Sequence, residues 1–184
     1  MQSYAAIDTE LPVNPDLDLV PTQGVPEDPQ VPFDPAWMIS EVRGGNIPGD
    51  ATVLTAGFAN RPDSGGQLGA WLKSFTGNSA DPADAVLTQT VPGVPGGDYT
   101  FSAWSSFQEN YSGGISTFGT ETVMELAFLD AAGAEIGTPL MLDISAEQMN
   151  DETWRQHSLN GTAPAGTASV RVMAAGLDME TNPN

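Results

Sequence analysis

The chain has 184 residues, 40% of them hydrophobic, and carries 24 Asp+Glu against 5 Lys+Arg for a formal net charge of −19. That is apolar material for one ordinary core, while the charge makes nucleic acid, anionic membranes and strongly anionic polysaccharides poor partners, because binding them draws on Lys and Arg. The lack of cysteine excludes disulfides, thiolate metal sites and cysteine nucleophiles, and no apolar run approaches a membrane span. The N-terminus MQSYAAIDTELP lacks the basic and apolar regions of a signal peptide, so an export signal would have been removed or lie outside this sequence. The acidity reads as solvation of a secreted protein, in salty water that screens its self-repulsion.

Twenty Gly and fifteen Pro, with Val, Thr and Phe gathered in short runs, predict many brief strands joined by turns. Residues 1–35 are dense in Pro and acids and form an arm or linker, since proline at this spacing blocks helix and central strand alike. Leu17–Val20 is a candidate edge strand there, with Asp16 and Asp18 as surface acids or, less readily, calcium ligands. The domain spans residues 36–184. Its first strands are read at Trp37–Arg43, Asp50–Phe58 and Leu68–Phe75, with Asn60–Gly66 a loop. In the third, Leu68, Ala70 and Leu72 alternate with Trp71 and Lys73.

After the polar loop Asn78–Asp84, too poor in ligand spacing to be an EF-hand, comes a strand at Leu87–Val91 and a corner at Pro92–Asp98. Tyr99–Phe107 then alternates cleanly. Tyr99, Phe101, Ala103, Ser105 and Phe107 face the core, which leaves Trp104 the one large apolar side chain on a face of Thr100, Ser102 and Ser106. An indole among hydroxyls suits the C–H face of a sugar ring; the competing expectation is that a second layer buries it. Gln108–Gly119 is a Gly-rich loop whose Tyr111 and Phe118 are either ligand contacts or plugs folded back on the core.

Glu121–Leu129 is a strand with Met124, Leu126 and Phe128 inward, followed by a DAAG hairpin and a return strand from Ala134. Ser145 and Gln148 suggest a capping box with a helical turn at Ala146–Asn150. Trp154–Leu159 and Ala168–Ala174 are the last strands, separated by a loop at Asn160–Gly166. A Pro–Gly corner introduces both the strand at Tyr99 and the strand at Ala168. His157, the sole histidine, has no nucleophile elbow and no second imidazole, and no spacing singles out a carboxylate pair, so the chain is expected not to be an enzyme.

Three segments carry a family resemblance. Leu87–Trp104 (LTQTVPGVPGGDYTFSAW) follows Q-x-V-x-x-x-P-G-x-x-Y-x-x-S-x-W. Leu126–Gly137 (LAFLDAAGAEIG) follows a strand, a D-x-x-G hairpin and a return. Trp154–Val172 (WRQHSLNGTAPAGTASVRV) follows W-x-x-x-S-x-x-x-x-A-P-x-G-T-x-S-V-R-V. Together they resemble the jelly-roll carbohydrate-binding-module superfamily, the galactose-binding-like β-sandwiches of secreted bacterial proteins, over roughly residues 68 to 175.

The resemblance implies an all-β antiparallel sandwich, a non-catalytic glycan-binding role, a place in a larger multidomain protein, and secretion or cell-surface display. On this reading Trp104, Tyr111 and Trp71 stack on sugar rings, and Glu125, Arg171, Lys73 and Gln156 make polar contacts. The alternative is a structural or adhesive surface module with no sugar ligand, in which Trp104 and Trp71 are buried. Such modules also end on a strand with an acidic pair and an aromatic, often completing a structural calcium site. No such strand is read after Asp178, so the expectation is a fragment lacking its last strand, or an arm that supplies the edge, with calcium as the only cofactor implied.

Overall fold

The computed structural model describes residues 38–42, 51–56, 69–74, 80–115 and 117–180, with only the backbone described at 39–42, 51–56, 69, 71, 73 and 74. The arm at 1–35, its candidate strand at Leu17–Val20, the loop at Asn60–Gly66 and the end of the chain after Glu180 lie outside these residues. Nine strands occur among them: β1 (Met38–Val42), β2 (Ala51–Ala56), β3 (Gly69–Ser74), β4 (Ala83–Pro92), β5 (Asp98–Ser105), β6 (Glu121–Leu129), β7 (Leu140–Asp143), β8 (Arg155–Thr162) and β9 (Ser169–Met179). All pair antiparallel. One sheet has five strands in the order β1-β4-β9-β6-β7, and two pairs, β2–β3 and β5–β8, stand over it. The chain is an all-β antiparallel sandwich, as expected.

The core follows from alternation. Phe101 of β5 shares one buried cluster with Met124, Leu126 and Phe128 of β6 and Val170 and Val172 of β9, and Tyr99, Ala103 and Leu159 pack against it. Tyr99 packs edge-on to Phe128 at 5.8 Å and accepts the Val94 N–H on its hydroxyl at 2.8 Å, so it joins the corner to the core. A smaller cluster of Ala83, Ala85, Leu87 and Met179 takes Ala70 and Leu72 of β3. Removing a ring such as Phe101 from this layer costs about 3–5 kcal/mol.

Several strands run longer than the pattern suggests, and the reason is close packing. Asn160-Gly161 reads as a turn, yet both lie in β8, because a Cβ at Gly161 would sit 2.6 Å from Leu140 Cδ1. β9 likewise continues past Ala174 through Gly176, where a Cβ would meet Met179 Sδ at 2.7 Å. β4 begins at Ala83, inside the segment read as a polar loop, with Ala83 and Ala85 fully buried.

β6 also differs from expectation in being buried on both faces from Thr122 to Leu129. The DAAG segment turns as read, with Asp130 Oδ1 accepting the Ala132 and Ala134 N–H groups. The return beyond it is a single bridge, Leu129 to Glu135, before β7. The capping box does not form: a 3-10 turn covers Ile144–Ala146, Ser145 Oγ accepts the Thr122 N–H at 2.7 Å, and Gln148 turns inward.

The two Pro–Gly corners lie against one another. Gly93 N–H donates to Ala168 O, Gly96 N–H to Ala163 O, and Ala163 N–H to Gly97 O, at 2.8 to 2.9 Å. Gly96 and Gly166 hold φ of 75° and 92°, a conformation that favours glycine. The start of β5 and the end of β8 are thereby pinned together.

Candidate glycan platform

The β5–β8 pair turns one face to the core and the other to solvent. Its register places Asp98 opposite Thr162, Thr100 opposite Asn160, Ser102 opposite Ser158, and Trp104 opposite Gln156. All eight are exposed, with Trp104 at 43%. Of the two expectations for Trp104, burial is not met: no described layer covers it. Directly opposed side chains lie within contact range, and side-chain hydrogen bonds join the strands across this face. Thr162 Oγ1 donates to Asp98 Oδ1 at 2.6 Å, Thr100 Oγ1 to Asn160 Oδ1 at 2.7 Å, and the Ser102 and Ser158 hydroxyls meet at 2.7 Å. Trp104 and Gln156, both anticipated, close one end. Asn160 and Thr162 escape the sequence reading because it ends β8 three residues short, and Asp98 because it falls in the Pro92–Asp98 corner; Ser158 lies inside the strand as read but is not singled out there.

The other anticipated residues go elsewhere. Tyr111 is a correction: it is folded back rather than offered to a ligand. Its ring lies edge-on to Phe107 at 4.8 Å, it touches both core clusters, and its hydroxyl bonds to Thr122 Oγ1 at 2.7 Å. Burial pushes its phenol up to about 12, against a smaller opposing effect of the Thr122 bond. A loop residue has no period to reveal this.

Glu125 and Arg171 form the second correction. They alternate with Leu126 and Val172, which enter the core, so they leave by the far face of the five-stranded sheet and cannot share a site with Trp104. There Arg171 donates to Glu125 Oε1 at 2.7 and 3.2 Å and to Glu135 Oε1 at 2.5 Å. Partial burial works against the Arg171 cation, but these bonds outweigh it and hold its pKa above the ordinary value. Around them a row crosses the sheet from Met38 through Thr88, Met173 and Glu125 to Met141. Trp71 and Lys73 lie in β3, opposite Leu54 and Thr52, and their side chains fall outside the described residues.

His157 points to the core side of β8, 7% exposed, with Nε2 3.1 Å from Gln148 Oε1 and Nδ1 3.6 Å from Glu147. Ser105 Oγ bonds to the same Gln148 oxygen. That carbonyl can only accept, so Nε2 carries the proton and the cluster ties the 144–153 loop to the end of the platform. The loop is further held by Asn150, which donates to Glu109 O and Tyr111 O, and by an exposed two-point pair between Arg155 and Asp151. The hydrogen bond from Arg155 holds the Asp151 carboxyl well below the usual range.

Among the described residues no three acidic or histidine side chains converge on one point. Asp84 instead accepts the Asp178 backbone N–H at 2.8 Å. No described helix is long and apolar enough to cross a membrane.

The architecture is therefore that of an antiparallel β-sandwich with an open hydroxyl-bearing face. Known structures agree at the level of fold. The chain is similar to the enzymatically active domain of tailspike protein 4 of bacteriophage CBA120, at 19% identity and a TM-score of 0.58, over 80% of this chain and 18% of that one. It thus spans about a fifth of the tailspike chain. It also matches a family 16 carbohydrate-binding module, at 21% identity and a TM-score of 0.45, over 73% of this chain and 79% of that one. A further match is the C-terminal family 22 carbohydrate-binding module of Clostridium thermocellum Xyn10B, at 16% identity and a TM-score of 0.40, over 80% and 79%. No protein-family model and no curated protein matches.

Proposed function

We propose that the solvent face of β5–β8 binds a neutral glycan, and that the chain acts as a non-catalytic carbohydrate-binding module within a larger secreted bacterial protein. One observation carries this reading: Trp104 is 43% exposed on a face whose other members are hydroxyl, amide and carboxylate side chains, all open to solvent. The indole supplies an apolar plane for ring C–H groups, and the Gln156 amide beside it supplies donors and an acceptor for equatorial hydroxyls. A module that merely spaces other domains has no use for an open indole in that setting. The face carries no cation and the chain a net charge of −19, so the ligand is uncharged.

Affinity electrophoresis through gels containing xylan, hydroxyethylcellulose, galactomannan or laminarin tests the proposal. Retardation by at least one polymer, lost in Trp104→Ala, is the expected result. Equal mobility of the parent in every gel and in the polymer-free control would defeat it.

A further inference from the structure

Resting on that glycan reading, we propose that the platform reads an oligosaccharide along its whole length, and that Asp98 is the specificity-determining residue at the end remote from Trp104. Asp98 and Trp104 share one face of β5 and stand six residues apart, about 20 Å along the strand and room for roughly four hexose rings end to end. The rungs between them repeat every second residue and stay exposed, so a linear chain lying along the strands meets polar groups at each step.

The cross-strand bonds decide which groups remain for a ligand. Thr162 Oγ1 gives its proton to Asp98 Oδ1, which leaves the second carboxylate oxygen and the remaining lone pairs there as acceptors only. At the next rung Thr100 gives its proton to Asn160 Oδ1, which leaves both N–H groups of that amide as donors. The Ser102–Ser158 pair keeps one proton and spare lone pairs, so it serves either way. The platform is thus polar along its length: acceptors at Asp98, donors at Asn160, a mixed rung, then amide and indole. A vicinal diol is the sugar group that answers a carboxylate, through two charge-assisted O–H···O bonds.

Because the rung side chains are already held by one another, ordering them on binding costs little. Asp98 is also the sole charged group among the eight, so uronate or sulfate at that end is repelled.

The test uses the whole chain and size-fractionated fragments, two to six units long, of whichever of the four polymers retards it, measured by titration calorimetry. Affinity is expected to climb up to about four units and then level. Asp98→Ala weakens the tetramer about tenfold and leaves the dimer unchanged, while Trp104→Ala weakens both. Asp98→Asn, which keeps the shape of the side chain, also weakens the tetramer and leaves the dimer unchanged, because an amide offers one acceptor oxygen where the carboxylate offers two. If the dimer binds as tightly as the hexamer, or both Asp98 variants bind the tetramer like the parent while Trp104→Ala does not, the glycan reading stands and the far-end assignment falls. If no polymer retards the parent, both fall.

Discussion

The two outer faces of this sandwich are built from strands of similar pattern and do opposite things. The β5–β8 face shows hydroxyls, amides and one indole, bonded pairwise across the strands and open to water. The outer face of β6–β9 carries an Arg171–Glu125–Glu135 ion cluster and Met173, and there β6 is buried although it looks away from the core. Hydroxyl rungs leave hydrogen-bonding capacity for a partner. The guanidinium of the far face is already committed to two carboxylates. The difference between the faces is exposed pairing capacity, rather than the mere presence of charged and aromatic residues.

The widest-reaching way to break the contrast is Phe101→Ala. It lies on β5 beneath the platform, and its loss is expected to cost about 3–5 kcal/mol of stability, read as a drop in denaturation midpoint. Both faces should fail together. Next, Trp104→Ala should separate them: about 2 kcal/mol of glycan affinity, or roughly 30-fold, disappears while thermal stability stays within about 0.5 kcal/mol.

Glu125→Ala is the mirror experiment. It removes the more buried of the two carboxylates that hold the Arg171 guanidinium and should lower stability by about 2 kcal/mol, with retention in polysaccharide gels unchanged. Loss of retention in that variant with the fold intact would show that the faces are coupled after all.

The smallest effect belongs to Tyr111→Phe, expected to cost about 1 kcal/mol through the Thr122 bond. Its pH signature is sharper. The phenol is held up to about 12 in the fold, against an ordinary value near 10, so the folded state binds the extra proton and stability falls as pH rises between them. An ultraviolet tyrosinate titration should show a late step that Tyr111→Phe removes; survival of the step in that variant would assign it to another tyrosine and count against the burial of Tyr111.

The alternation of Tyr99, Phe101 and Ala103 with Thr100, Ser102 and Trp104 was enough to read the β5 face, since period two is unambiguous in a strand with one buried side. Val170 and Val172 assigned β9 in the same way. What alternation could not provide was which strand lies beside which. Glu125 and Arg171 do pair, as polar residues on neighbouring strands, but only the layering shows that they leave on the side away from Trp104. The far half of the platform was hidden by chemistry of another kind. Asn-Gly at 160–161 normally marks a turn, and only contact with Leu140 and Phe128 across the core explains why Gly161 stays in the strand and Asn160 becomes a rung. Tyr111 was beyond reach because a Gly-rich loop carries no period at all.

The paired corners at Gly93–Gly97 and Ala163–Ala168 bear on how such a module can diversify. They lock the register of β5 on β8 through backbone bonds alone, and a slip of one residue would exchange Phe101 for a hydroxyl in the core. None of the eight platform side chains takes part in that lock. The face is therefore a row of replaceable positions on a fixed frame, where one rung can be exchanged without renegotiating the fold beneath it.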